Sequence, residues 1–219
     1  MILTSIGPSE VLRILDDVAS EISRNKEYLT ELDSLGGDGD HGVNLERGFL
    51  KVRSQFPQLQ NSLDIGSILT SVGMTLLSTV GGATGSLYGA ALIKVGKVAR
   101  EKTEIRAKDL PEIMNAGTSA ILELGGAKPG DKTMVDVLLP ATEVISKAAE
   151  ESDDLSYVLD RVAKAAKDGL ENTKTMVARK GRASYLGERT LGHYDVGAAS
   201  LFLILETCAR TVSRLANSA

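Results

Sequence analysis

Apolar residues recur at helix spacing along nearly the whole chain, and strand-like alternation is scarce. Val11, Leu12, Leu15, Val18, Ala19 and Ile22 form one face of a first helix, opposite Asp16, Asp17, Glu21 and Arg24. Pro8 and Ser9 suit its start. The same period predicts seven further helices, roughly over 43–55, 65–80, 86–101, 107–124, 134–150, 155–179 and 196–216. With aromatic residues at only 4%, the expected fold class is all-α. Small residues recur on the apolar faces, as in Ser71-Val72-Gly73-Met74-Thr75 and Tyr88-Gly89-Ala90-Ala91. They let helices approach closely and favour a compact bundle over a loose superhelix, and no repeat period is visible.

The 219 residues contain no linker or break in composition, which predicts a single domain over 1–219. A hydrophobic fraction of 42% is that of a globular protein with a real core. A net charge of −4 and the lack of any basic run argue against a nucleic-acid partner. The sole cysteine, Cys208, lies in an apolar helical run and reads as a core residue. The N-terminus lacks the basic and apolar regions of a secretory signal, and the apolar segment 196–205 is too short to span a bilayer. A soluble cytoplasmic protein with no membrane attachment is expected.

Chemistry concentrates between the helices. In Leu32-Asp33-Ser34-Leu35-Gly36-Gly37-Asp38-Gly39-Asp40-His41-Gly42-Val43-Asn44, three carboxylates fall among glycines that let the chain bend freely. Crowded carboxylates repel unless a cation sits between them, and hard oxygen ligands suit Mg²⁺ or Ca²⁺. A helix follows at once, and its free N–H groups favour an anion such as phosphate. Metal beside an anion site suggests a bound metal–nucleotide. The EF-hand spacing is not met, since Gly42 and Val43 stand at the fifth and sixth positions counted from Asp38. A lone Gly-Asp-Gly-Asp is more often a plain turn. Here four more junctions share its character: 80–89, 124–134, 180–189 and 192–199. In an up-down bundle alternate connections lie at one end, so these loops are expected to converge.

Each loop has two readings. Gly81-Gly82-Ala83-Thr84-Gly85 forms a phosphate nest or a close helix contact, and it is not a Walker A motif. Lys132 offers a cation for phosphate, Asp131 or Thr133 a helix cap, and Met134 an adenine contact or core packing. Arg182 pairs with phosphate oxygens or is a solvated surface arginine. His41 and His193, the only histidines, are structural or functional.

Leu29-Thr30-Glu31-Leu32-Asp33 and Gly37-Asp38-Gly39-Asp40-His41-Gly42 together resemble the signature of the nucleotide-binding L subunits of dihydroxyacetone kinases. So do Gly81-Gly82-Ala83-Thr84-Gly85-Ser86-Leu87-Tyr88-Gly89, Gly130-Asp131-Lys132-Thr133-Met134 and Gly181-Arg182-Ala183-Ser184-Tyr185-Leu186-Gly187-Glu188-Arg189, in the family's order. The resemblance implies a closed barrel of eight amphipathic antiparallel helices, with ADP or ATP and two Mg²⁺ ions at one end. It makes Asp33, Asp38 and Asp40 metal ligands. His41, Gly42, Val43, Asn44, Ala83, Thr84, Gly125, Met134, Arg182, Asp195, Val196 and Gly197 match the nucleotide contacts, and Arg182 is the catalytic candidate. Gly36, Ser86 and Val196 depart from the usual residues. The implied partners are a K subunit that holds dihydroxyacetone and a phosphorylated M subunit of the sugar phosphotransferase system that recharges ADP; a homodimer is compatible. Two rival readings are an ATP-dependent kinase subunit for dihydroxyacetone or another short ketose, and a nucleotide-loaded module signalling to a transcription regulator.

Overall fold

The computed structural model of the protein describes residues 2–218. Helix α1 (Pro8–Arg24) buries Val11, Leu15, Val18, Ala19 and Ile22, and the Glu10 carboxylate accepts from Gly7 N at its start (2.8 Å). The chain does not then pass straight into a loop. It kinks at Asn25, whose side-chain amide donates to Glu21 O (2.9 Å), and resumes as α2 (Lys26–Ser34). Helix α3 (His41–Arg53) follows, then a single turn α4 (Phe56–Leu59), α5 (Ile65–Thr79) and α6 (Gly82–Val98). After a short 3₁₀ turn (Ala107–Asp109) come α7 (Leu110–Gly125), α8 (Val135–Glu151), α9 (Leu155–Thr173) and α10 (Val196–Ser218).

Eight long helices close into a ring in the order α1, α3, α5, α6, α7, α8, α9 and α10, with α10 packed back on α1. The all-α expectation holds, and the count needs correction: α2, α4 and two 3₁₀ segments add to the eight. The only strands among the described residues are β1 (Ser5–Ile6) and β2 (Ile105–Arg106), paired antiparallel. They lie at the far end of the barrel, where Leu155 N also donates to Leu3 O (2.9 Å).

The α5–α6 contact depends on small residues. A Cβ on Gly73 would sit 2.8 Å from Gly89 O, and one on Gly66 would sit 2.4 Å from Gly96 O. Backbone meets backbone at two levels, so nothing larger than hydrogen fits. Helix α9 is shorter than the period suggests. Arg179 N donates to Asp131 O (3.0 Å) and is lost to a helical ladder, and Lys132 Nζ donates to Met176 O (3.1 Å) where the chain turns away. Helix α10 runs beyond the apolar stretch at 196–205 and is long and apolar enough in composition to cross a membrane. Half of its most apolar window is buried in the barrel. Its other face carries Arg210 and Arg214, paired with Glu21 and Asp17 of α1 (both 2.7 Å).

Candidate functional site

The loops α2–α3, α5–α6, α7–α8 and α9–α10 meet at one end and line a cavity of about 280 Å³. Asp33 stands in the last turn of α2, and its Oδ2 accepts from Asp40 N (2.9 Å) and His41 N (3.2 Å). These bonds fold the acidic loop back on itself. One carboxylate oxygen from each of Asp33, Asp38 and Asp40 lies within 4.8 Å of the others. Three hard oxygen donors this close fit a Mg²⁺ site. Arg182 enters from across the cavity and forms an ion pair with Asp38, holding that carboxyl below the usual range. The approach is tight: a Cβ on Gly36 would lie 2.9 Å from that of Ala183, which accounts for glycine there.

The second wall is the start of α6. Gly81 is its N-cap, so Ala83 and Thr84 occupy the first helical turn and not a free loop. That turn and the start of α3 both open into the cavity, giving two helix N-termini suited to anions. Behind them runs a buried polar chain. Thr84 Oγ1 meets His41 Nδ1 (3.3 Å), His41 Nε2 meets Ser200 Oγ (3.0 Å), and Ser200 Oγ meets Tyr88 OH (2.9 Å). Burial lowers the His41 pKa to about 4, so the ring is neutral at pH 7 with both nitrogens engaged. Asn44 is buried, its Oδ1 accepting from Arg47 (2.7 Å).

Asp195 caps α10 by accepting from Ala198 N (2.7 Å). Burial, with Asp136 adding to it, pushes its pKa up to about 7. Val196 and Gly197 line the cavity beside it. Four of the residues singled out from sequence are not among those that line it. Gly42 packs against α2, where a Cβ would meet Lys26 O at 2.1 Å, and Val43 is exposed on α3. Gly125 ends α7 near Leu87, and Met134 is buried beneath Gly197. Lys180, Arg189 and Tyr194 do line the cavity and were not singled out, because a charge or ring in a loop gives no sign of its direction. Lys132 is buried and spends its ammonium on backbone carbonyls, so it is not the phosphate cation its loop suggests. Thr133 caps the start of α8: its Oγ1 accepts from Val135 N (3.2 Å) and its N–H donates to Asp136 Oδ2 (2.8 Å), while Asp136 Oδ1 accepts from Gly130 N (2.6 Å) and Asp131 instead accepts from Lys128 N (2.8 Å).

Fold and site together define a helical barrel with three clustered carboxylates, an arginine and two helix N-termini around one cavity at its end. The family described as the DAK2 domain matches residues 36–210, and the chain belongs to it. It is 38% identical over 205 residues to the PEP-dependent dihydroxyacetone kinase, ADP-binding subunit DhaL of Escherichia coli, covering 94% of this chain and 97% of that one. It is 32% identical to the D-erythrulose kinase of Mycolicibacterium smegmatis over 94% of this chain and 35% of that enzyme. The crystal structure of the C. freundii dihydroxyacetone kinase in complex with AMP-PNP and Mg²⁺ superposes with a TM-score of 0.70 and 25% identity. That match covers 90% of this chain, which spans about a third of that kinase (33%).

Proposed function

We propose that this chain is the ADP/ATP-binding subunit of a dihydroxyacetone phosphotransferase. One observation carries the reading: three carboxylates, Arg182 and two helix N-termini share a single cavity at the barrel end. The near end-to-end likeness to an ADP-binding subunit supports it. Asp33, Asp38 and Asp40 would hold two Mg²⁺ ions, which when bound neutralise phosphate charge. The starts of α3 and α6 bind phosphate through free N–H groups, with the buried His41 network fixing the Thr84 hydroxyl beside them. The 195–197 turn closes the nucleotide pocket. Gly42 and Val43 act through the backbone at the start of α3, and Gly125 and Met134 border the base.

Arg182 is free to leave Asp38 when that carboxylate takes up a metal, and its guanidinium then faces the phosphoryl group. It orients that group for in-line transfer to a hydroxyl of dihydroxyacetone held on a separate K subunit. A phosphorylated M subunit recharges the ADP, and no residue of this chain need be phosphorylated. Exposed Leu35 and Tyr185 lie beside the acidic loop, where they support docking of a protein acceptor. The chain works as one domain in the cytoplasm, and self-association into a homodimer is compatible. The likeness to an erythrulose kinase favours a second reading, an ATP-dependent subunit for a short ketose with exchangeable nucleotide.

The test is reconstitution with purified K and M subunits. Transfer that requires the phosphorylated M subunit, with slowly exchanging ADP, supports the first reading; transfer from free ATP supports the second. No transfer from either donor overturns both. Arg182→Ala should slow transfer far more than it weakens nucleotide binding, because an interaction stronger in the transition state raises the rate. An equal loss in both would make Arg182 a plain binding residue.

A further inference from the structure

Lys132 is a buried ammonium with no part in the proposed transfer. It is 2% exposed, and its backbone is left-handed (φ 59°), a conformation that non-glycine residues keep only where their surroundings impose it. Its Nζ donates to three main-chain carbonyls: Met176 (3.1 Å), His193 (2.8 Å) and Thr190. An ammonium has three N–H donors, so this set leaves none for a ligand. None of the three acceptors is a carboxylate.

The acceptors belong to the two ends of one excursion. The chain leaves α9 at Thr173, runs out through 177–191 and returns to α10 at Val196. Gly192 N to Lys174 O (2.8 Å) and Ala178 N to Thr190 Oγ1 (3.0 Å) draw the ends together, and Arg179 N reaches Asp131 O (3.0 Å) beside Lys132. Beyond this neck the tip carries exposed Arg182 and Tyr185. Its 3₁₀ turns (Arg182–Thr190) break at Gly187 (φ 57°), so no continuous helix stiffens it.

We propose that Lys132 is a positioning residue: its ammonium latches the neck of the 177–191 excursion and so fixes where Arg182 meets the acidic loop. The inference rests on the reading of Arg182 as the residue that orients the phosphoryl group. Lys132 binds no substrate. Its three bonds join the segment that follows α9, the far end of the excursion and the α7–α8 loop through one charge.

Hydrogen exchange on the full chain tests the latch without any activity assay. Lys132→Met keeps most of the stem and removes the ammonium, and Lys132→Gly is at ease at the left-handed backbone. Both should speed exchange across 177–192 by about tenfold or more, while α5 and α6 keep their protection. Val158→Ala, in the core face of α9, should lower the melting temperature and leave exchange in 177–192 as in the wild type. With the ketose-holding subunit present, Lys132→Met should slow transfer by about 100-fold, the scale of a small misplacement of a positioned group, with a much smaller change in Mg-ADP affinity. The Lys132→Met/Arg182→Ala double variant should transfer no more slowly than Arg182→Ala alone. Unchanged exchange across 177–192, or a strictly additive double variant, overturns the latch. Should both variants fail to fold, the wild type still decides, because fast exchange at Ala178, Arg179 and Gly192 overturns it too. If Arg182→Ala transfers at the wild-type rate while Lys132→Met loosens the loop, the latch stands and the reading of Arg182 falls.

Discussion

Asp38 and Asp40 are exposed, so their removal should cost the fold little and test the site cleanly. A ligand at 100 times its Kd stabilises the native state by about 2.7 kcal/mol, a rise in melting temperature of about 5–10 °C for a chain of this size. Asp38→Ala and Asp40→Ala should lose that rise with Mg-ADP, as read by thermal denaturation. A shift preserved in both would reduce the loop to a turn. Asp195 makes a prediction of a different kind. Its folded pKa of about 7 lies above the ordinary value of an unfolded aspartate, so the native state holds the proton more tightly. The stability it adds is complete below about pH 4 and is lost as pH rises through 7. Asp136 works in the same direction and Lys132 against it. Asp195→Asn keeps the cap acceptor for Ala198 N and removes the titration. Urea denaturation from pH 4 to 8 should therefore give a flatter profile for the variant, and parallel profiles would refute the assignment.

At the scale of elements, α5 and α6 pack so closely that helix propensity and packing oppose each other. Gly73→Ala gains up to about 1 kcal/mol of propensity. The added Cβ meets Gly89 O and Ile93 N, both at 2.8 Å, and helical backbone cannot give way as a side-chain tip can. Overpacking of this kind costs about 1–3 kcal/mol, so the variant should unfold at lower urea than the wild type. A gain in stability would show that the two helices can slide apart. Most elements were legible because their apolar period is strong. Helix α2 was not, because it buries only Leu29 and its remaining polar residues conceal the period. The overrun of α9 has the converse cause, since residues 174–179 keep helix-compatible chemistry and only distant partners end the helix.

For the whole molecule, the prediction is that the purified protein carries tightly held ADP or ATP with Mg²⁺, visible by native mass spectrometry. Purely apo protein with no affinity for Mg-nucleotide would sink the proposed function. Radiolabelled phosphate attached covalently to His41 or His193 during turnover would instead make this chain a phosphohistidine carrier. His193 would then be the candidate, being exposed, whereas both nitrogens of His41 are engaged in the buried chain. The sequence by itself determined an all-α bundle and the end at which its chemistry gathers, and ring closure of α10 on α1 came from the tertiary structure. Periodicity and glycine-rich junctions are local properties, and an up-down path sends alternate connections to one side. It also singled out Asp33, Asp38, Asp40 and Arg182, through carboxylates crowded among glycines and the ordered motifs that carry the family resemblance. Only the tertiary structure decided that Asp38 faces Arg182, that His41 is sealed in a hydroxyl chain, and that the Lys132 ammonium is spent on main-chain carbonyls. Each depends on which distant backbone or side chain a polar group meets. Lys132 and Thr190 lie 58 positions apart in sequence, and no local pattern records which carbonyls a buried ammonium will find.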